Sequence, residues 1–416
     1  MPYYLSMGCI GTAIVVLPAG MSRSAWIAVV VSCAWVYALY RLDRKQAATR
    51  LRQHKRWYII GGILGGILLL GGSASLYTLK KDSADGRFLM WKITTKAIQK
   101  QPITGTSLGG FPAAYAETQA EYMASGKATE QEKLVAGCPE YAFNEYLQIG
   151  LEQGLVGLAL FIGWLGLLFY KGIKNKRYAC CGGLMSLAIF AFSSYPLQLP
   201  EFWVVLIFLG VMSVTPDKDE IRENQAESNG HRWGKQIFFM GIAILGIGLF
   251  WMQKDHYKAY QQWNKAQMFY NNKAYEAALE VYEPLYPLLK HKPEFLFEAA
   301  QSLSKTGQYE KANEYLERAV LLSSDPMLYY VMAKNEQCLG EYRQAEKHLL
   351  HAIDILPERI YPYYLLMNLY TEPSYFQPAK LKMAIDSVLT KKPKVESSAI
   401  KEMKEKARSM LNNTSI

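Results

Sequence analysis

Cysteine pairs of the Cys-x-x-Cys type, which many metal sites need, are missing from this 416-residue sequence. Its six cysteines form neither a Cys-x-x-Cys pair nor an evenly spaced set: Cys9, Cys33, Cys138, Cys180, Cys181 and Cys338. Several lie in apolar runs, where cysteine acts as a small hydrophobic residue. We therefore expect no disulfide framework, no metal site and no cofactor.

The N-terminus lacks a basic n-region and a small-residue cleavage site, so no removable signal peptide is predicted. Charges are nearly absent from the long apolar runs, which argues against a transporter or receptor because a substrate path needs membrane-buried charges. The net charge is +10. Because the first large basic block lies between apolar runs, loop charge explains it better than nucleic-acid binding.

Long apolar runs are confined to residues 1–252, whereas residues 253–416 have the composition of a soluble helical domain. A helix that crosses the hydrocarbon needs about 20 largely apolar residues. The sequence therefore predicts an all-α protein with about seven transmembrane helices, at residues 3–20, 24–41, 57–77, 153–170, 178–195, 199–215 and 236–252.

Lysine and arginine clusters predict the orientation of these spans. One cluster follows the second span and one follows the fourth: Arg41, Arg44, Lys45, Arg50, Arg52, Lys55 and Arg56, then Lys171, Lys174, Lys176 and Arg177. Loops of this kind are cytoplasmic. In a bacterial inner membrane, residues 78–152 and everything after residue 252 would then lie on the outer, extracytoplasmic side.

A repeated phrase marks the C-terminal domain. A turn is followed by Tyr-x-x-Ala three times, with Tyr275, Tyr309 and Tyr342 spaced 34 and 33 residues apart, and Ala278, Ala312, Ala345 and Ala379 keeping that step. A period near 34 with this pattern is typical of tetratricopeptide repeats. Since such repeats bury their apolar faces by stacking, we expect a helical solenoid that binds a protein partner or serves as a spacer or cap.

The 78–152 segment contains several short motifs. It has Gly86-Arg87-Phe-Leu-Met-Trp91 on an amphipathic helix, a Pro102-Ile-Thr-Gly105-Thr-Ser-Leu-Gly109-Gly110-Phe111 turn, and Phe143-Asn144-Glu145-Tyr146-Leu147-Gln148 before Glu152-Gln-Gly154-Leu-Val-Gly157. Upstream, Ser22-Arg23-Ser-Ala-Trp26 begins the second span. The glycine turn lacks a strand–turn–helix context, so a nucleotide-binding loop is not predicted.

In this order, the motifs resemble the O-antigen ligase and O-antigen polymerase superfamily over about residues 10–215, with an N-terminus shorter than the family usually has. The resemblance implies metal-independent transfer of a glycan from a polyprenyl diphosphate carrier to a lipid, glycan or protein acceptor, as in cell-envelope polysaccharide biosynthesis. Two family arginines hold the diphosphate, and they match Arg23 and Arg87.

The family's histidine before the Asn-x-Tyr-Leu-Gln phrase is Phe143 here. Phenylalanine cannot exchange a proton. The resemblance makes Arg23, Arg87 and Asn144 the substrate-binding candidates, with both arginines also catalytic. Glu145 is the candidate base, with Glu140 as an alternative. The simpler interpretations are a snorkelling Arg23, a solvated Arg87, and a helix N-terminal acid at Glu145.

Two hypotheses remain open at this point. The chain is either a membrane glycosyltransferase-like enzyme or a truncated, inactive relative that anchors a repeat scaffold for protein partners. Phe143 and the short N-terminus motivate the second hypothesis.

Overall fold

A computed structural model describes residues 2–19, 22–43, 81–215, 232–393 and 395–413. Within these ranges all regular secondary structure is helical. This agrees with the predicted all-α class. The described residues divide into two compact units: Met1–Ser107 with Tyr141–Gly230, and Leu108–Glu140 with His231–Ile416.

The first unit contains seven described α-helices. They are α1 (Pro2–Ala19), α2 (Arg23–Asp43), α3 (Lys81–Lys100), α6 (Glu145–Glu152), α7 (Gly154–Lys174), α8 (Tyr178–Phe192) and α9 (Pro200–Val214). The intervening helices α4 (Phe111–Ala124) and α5 (Glu130–Val135) belong to the second unit. A short 3₁₀ turn, Pro196–Gln198, joins α8 to α9. Pro196 follows the end of α8 and Pro200 begins α9, because proline suits a first turn and not a helix interior.

Close helix packing organises the first unit. Helix α8 packs against α2 and α9, and the buried core between α7, α8 and α9 is leucine-rich. A Cβ added at Gly182 would lie 2.3 Å from a methyl carbon of Val36 in α2. Glycine therefore sets the approach of these two helices, as small residues do in membrane bundles.

Two described helices are long and apolar enough to cross a membrane, Ser24–Arg41 and Gly154–Lys174. Tyr178–Phe192 and Pro200–Val214 are apolar but shorter. The predicted number of seven spans is therefore not confirmed. The predicted span at 57–77 lies outside the described residues.

The second unit continues with ten helices. They are α10 (Arg232–Met252), α11 (Lys254–Asn271), α12 (Tyr275–Leu289), α13 (Pro293–Lys305), α14 (Tyr309–Val320), α15 (Met327–Leu339), α16 (Tyr342–Ile355), α17 (Ile360–Leu369), α18 (Pro378–Thr390) and α19 (Ser398–Asn413). From α11 to α18 they form four consecutive pairs in which each helix packs on the next, and α19 packs on the last pair. This is the helix-pair arrangement that the repeat period predicts.

The repeat alanines behave as expected in three pairs. Ala278, Ala312 and Ala345 are each fully buried. Ala379, which was expected to keep the spacing, is exposed, and Leu381 is buried at the equivalent place three residues into its helix. The shift has a local cause, because a 3₁₀ turn at Pro373–Tyr375 lengthens the connection before α18.

Part of the 78–152 segment belongs to the repeat unit. Helix α4 packs against α16. Gln119 of α4 is fully buried, accepts a hydrogen bond from the Tyr115 hydroxyl (2.7 Å), and donates to the carbonyl oxygens of Gly137 (3.0 Å) and Ile355 (2.8 Å). Helix α5 begins with a capping box between Thr129 and Glu132. The predicted domain division after residue 252 stays a prediction.

Candidate functional site

Helix α3 positions Arg87. Leu89, Ile93 and Ala97 are buried on one face of this helix, at the spacing of an amphipathic helix. Arg87 is half-buried, and its Nη1 donates to the carbonyl oxygen of Ser193 at 3.0 Å. The guanidinium carbon lies 5.3 Å from the centre of the Phe143 ring, within the range of a cation–π contact. The Arg87 guanidinium is therefore held in place by these two contacts and is not loosely solvated.

The same carbonyl oxygen is close to the start of α2. Ser24 Oγ donates to Ser193 O at 3.5 Å, which is a long hydrogen bond. Arg23 is the first residue of α2, and its side chain lies outside the described part of the structure. The carbonyl group of Ser193 thus brings together the beginning of α2 and the guanidinium of Arg87.

Phe143 lies at the centre of an aromatic cluster. Its ring meets the Tyr195 ring edge-on at 4.8 Å, and Tyr195 stacks on Tyr141 at 5.2 Å. The Trp91 indole donates to the carbonyl oxygen of Ala142 at 3.2 Å. Phe143 has a φ of +49°, a left-handed conformation that is unusual for a bulky residue.

Asn144 is the N-cap of α6. Its side-chain oxygen accepts from the backbone N–H groups of Tyr146 (3.0 Å) and Leu147 (3.1 Å), and the residue is buried. This is the usual way in which asparagine satisfies the free N–H groups of a first turn. The side-chain oxygen is therefore engaged with the helix, and only the amide nitrogen could meet a ligand.

Glu145 has a buried carboxyl group, with 1% of the residue exposed. One oxygen accepts from the Leu197 backbone N–H at 2.6 Å and the other from Gln198 Nε2 at 3.0 Å. Burial raises the pKa of Glu145, against the opposing effect of these two hydrogen bonds, and the charge of Glu152 adds to the increase. Glu145 therefore holds the 3₁₀ turn that follows Ser193 and Tyr195.

The predicted glycine turn packs directly on the junction between α6 and α7. A Cβ added at Gly105 would lie 2.5 Å from the backbone of Glu152, and one at Gly154 would lie 2.0 Å from Ile103 O. Both glycines have a φ of +69°. Backbone bonds from Thr106 N to Leu151 O and from Leu155 N to Pro102 O fix this contact. The turn is a structural support for α6.

The sequence reasoning missed the contributions of Ser193, Tyr195 and Gln198. The signal that could have indicated them is the Ser193-Ser-Tyr-Pro-Leu-Gln-Leu-Pro200 stretch between two apolar runs, where polar and aromatic residues interrupt the spans. In the part of the chain that the structure describes, no group of three or more His, Cys, Asp or Glu side chains could hold a metal ion.

Comparison with known families identifies the class of the N-terminal region. Residues 8–162, which run from α1 into α7, match the family model described as O-Antigen ligase. Residues 271–352 match the model described as Anaphase-promoting complex, cyclosome, subunit 3. The chain thus joins an O-antigen ligase domain in its N-terminal region to a tetratricopeptide-like C-terminal region, as the motifs and the repeat period predicted.

Solved structures with similar features include MamA from Desulfovibrio magneticus RS-1. That protein is 19% identical, with a TM-score of 0.31, and the match covers 38% of this chain and 98% of that chain. The type III secretion translocator chaperone SycD of Yersinia enterocolitica is 17% identical, with a TM-score of 0.23, and the match covers 37% and 85%. No curated protein sequence matches the chain.

Proposed function

We propose that the chain is a membrane glycosyltransferase of the O-antigen ligase or polymerase type, which transfers or polymerises a glycan from a polyprenyl diphosphate carrier on the outer face of the bacterial inner membrane. In the reaction, an acceptor hydroxyl oxygen forms a bond to the anomeric carbon of the glycan. The bond from that carbon to the diphosphate breaks, the diphosphate leaves with its negative charge, and a base takes the hydroxyl proton. The acceptor is a lipid, a glycan or a protein.

The observation that carries the proposal is the fixed position of Arg87 beside the start of α2. The Ser193 carbonyl oxygen accepts from both Arg87 and Ser24. A guanidinium is always charged and binds phosphate oxygens in pairs. The first turn of α2 adds the positive end of a helix dipole. We assign Arg87 and Arg23 to the diphosphate, where they would stabilise the charge of the leaving group.

Glu145 is our candidate for the base. Its pKa is raised by burial, which makes the carboxylate a better proton acceptor near neutral pH. Each oxygen accepts one hydrogen bond from the 195–198 turn. A carboxylate oxygen has a second lone pair, so the same group can hold the turn and still accept a proton. Asn144 is assigned to substrate binding through its amide nitrogen.

The membrane arrangement is part of the proposal. Residues 1–252 form the transmembrane domain with about seven spans, while the 78–152 loop and the repeat domain at 253–416 are extracytoplasmic. Helix α10 supports this arrangement, because every residue from 239 to 252 is exposed, including Phe250 at 83% and Trp251 at 71%. A helix that is apolar all round needs an apolar surrounding. The repeats would bind a protein partner.

The test is substitution of the arginines in the full chain, with the consumption of a labelled lipid-linked glycan measured in membranes. We expect Arg87→Ala to reduce transfer at least about 100-fold, since removing a single stabilising donor has effects of that order. Arg87→Lys recovers only part of the activity, because an ammonium group lacks the planar fork. Arg23→Ala behaves like Arg87→Ala. The control is Lys96→Ala, an exposed cation on α3. Normal transfer by both alanine variants refutes the proposal.

The second candidate function is an inactive membrane anchor for a repeat scaffold, and Phe143 favours it because a proton-exchanging side chain is absent from that position. This function predicts that Arg87→Ala leaves surface glycan unchanged while removal of the whole chain has an effect. The same substitution therefore separates the two functions.

A further inference from the structure

An open groove crosses the N-terminal ends of three helices in the repeat unit. It has a volume of about 890 Å³ and is lined by the beginnings of α13, α15 and α17 together with Cys138 and Glu140. Volumes of this size accommodate ligands. The α13, α15 and α17 helices are the first members of successive pairs, so the groove follows the direction in which the repeats stack.

A non-helical stretch of the chain borders this groove. After α5 ends, the backbone is not helical from Ala136 to Pro139. The repeat unit holds its carbonyl groups, because Gln119 Nε2 donates to Gly137 O and Ser324 Oγ donates to Pro139 O at 3.1 Å. Ser324 is buried. Side-chain donors of the repeat unit therefore hold non-helical polypeptide backbone at this edge of the groove.

The groove is acidic in a chain whose net charge is +10. Four carboxylates and a single guanidinium line it: Glu140, Glu294, Glu298 and Asp325, with Arg359. Glu298 is engaged by the Trp263 indole (2.7 Å) and the Tyr282 hydroxyl (3.0 Å). The other three carboxylates are exposed. Their field attracts cations over about 8–10 Å at physiological salt.

Apolar and aromatic side chains lie between these charges. Phe297, Met327, Tyr330 and Leu356 line the same groove. A smaller cavity of about 200 Å³ continues past Ala136 and shares Leu356, Arg359 and Tyr361 with it, while Val395, Ile400 and Met403 make its far side apolar. The lining thus combines negative charge with apolar surface.

We propose that this groove is the docking site for an extended polypeptide segment of a partner protein that carries basic residues interspersed with apolar ones. Lysine or arginine side chains meet Glu140, Glu294 and Asp325, and apolar side chains occupy the space against Phe297 and Tyr330. The charge complementarity fixes the class of partner, and the borders of the groove already hold a non-helical stretch of polypeptide. The inference rests on the proposed role of the repeats in binding a protein partner and does not depend on glycan transfer.

The test uses the full chain in nanodiscs and two labelled octapeptides, one of alternating lysine and leucine and one of alternating glutamate and leucine, with binding followed by fluorescence anisotropy. The basic peptide binds and the acidic one does not. The affinity for the basic peptide falls with added salt. The double variant Glu140→Lys/Glu294→Lys weakens it at least about tenfold, as the reversal of exposed ion pairs would.

The matched control is Glu276→Lys/Glu280→Lys on α12, away from the groove, which makes the same change in net charge. Glu276 and Glu294 both lie in the first turn of a helix, so both reversals carry a similar helix-dipole cost. The control keeps wild-type affinity within about twofold. A second readout is location: a haloacetyl group on the basic peptide labels Cys138 in the groove faster than the exposed Cys338. Equal binding of the two peptides, or equal losses in the two double variants, overturns the proposal.

Discussion

Substitution of Glu145 separates two roles of one carboxyl group. In the structure the group holds the turn after α8, through the Leu197 N–H and the Gln198 amide. In the proposed reaction it also takes the acceptor proton. In the Glu145→Gln variant, the side-chain oxygen still accepts from the Leu197 N–H. The Gln198 amide can flip so that its oxygen accepts from the NH₂ group of the new side chain. Glu145→Gln therefore keeps the turn and loses the base, whereas Glu145→Ala loses both.

The expected effects on the free energy of unfolding and on transfer activity differ between the two variants. An unsatisfied buried donor costs about 1–3 kcal/mol. Because Leu197 and Gln198 are only half-buried, we expect Glu145→Ala to lower the free energy of unfolding by about 2 kcal/mol in total. Glu145→Gln stays within about 1 kcal/mol of the wild type. General base catalysis contributes about 10²–10⁴-fold, so both variants lose transfer activity by that factor.

The pH dependence supplies an independent check. Burial raises the pKa of Glu145 above its usual value of 4.5, so wild-type transfer should rise as the pH passes through that raised pKa. The folded state holds the proton more tightly than the unfolded state. Wild-type stability should therefore fall as the pH increases from 4.5 to the raised pKa. Glu145→Gln should remove this pH dependence of transfer and of stability.

The assays are thermal unfolding of the purified chain in detergent and transfer of labelled glycan in membranes, each followed from pH 4 to pH 8 for all three proteins. Wild-type activity in Glu145→Gln would refute the assignment of the base. Glu145 would then serve only to hold the turn after α8. Unchanged stability in Glu145→Ala would refute the role in holding the turn.

Three further substitutions test the surroundings. Gly154→Ala should cost about 3 kcal/mol of stability in thermal unfolding, because the methyl group meets backbone at 2.0 Å, whereas Gly109→Ala, with a similar positive φ and open space, costs about 1 kcal/mol. Gln119→Leu removes the acceptor of the buried Tyr115 hydroxyl and should cost about 3 kcal/mol, with faster proteolysis near residue 137. Phe143→His should fold normally and increase transfer at pH 7, because the nearby guanidinium keeps the imidazole neutral; a loss of transfer contradicts this.

Periodic features were accessible from sequence. The spacing of Tyr275, Tyr309 and Tyr342 predicted helix pairs, and the buried alanines three residues later confirm three of the four positions. The motif order identified the O-antigen ligase domain, which the family match to residues 8–162 confirms. Such signals are local or repeat at a fixed interval, so a single sequence carries them. Where the interval changes, before α18, the prediction for Ala379 was wrong.

Contacts between distant segments were not accessible. Arg87 and Ser193 are 106 residues apart, and Gln119 and Ile355 are 236 apart. Nothing in the composition of residues 108–140 shows that this segment packs with the repeats, since the sequence gives no sign that Gln119 is buried. Burial reverses that interpretation, because a buried polar group requires partners that only the fold brings to it. The roles of Arg23, Arg87, Asn144 and Glu145 remain predictions.

The backbone at Phe143 is determined by its neighbours and not by its own side chain. Trp91 binds the preceding carbonyl group, Gln148 Oε1 accepts from the Ala142 N–H at 2.8 Å, and Asn144 caps α6. Histidine enters the left-handed region more readily than phenylalanine does. The position therefore keeps the conformation that suits a histidine, although its ring now serves as a support for the Arg87 guanidinium. Because Phe143 offers no proton acceptor beside the arginine that we assign to the diphosphate, we expect the activity of this chain to depend on the carboxyl group of Glu145.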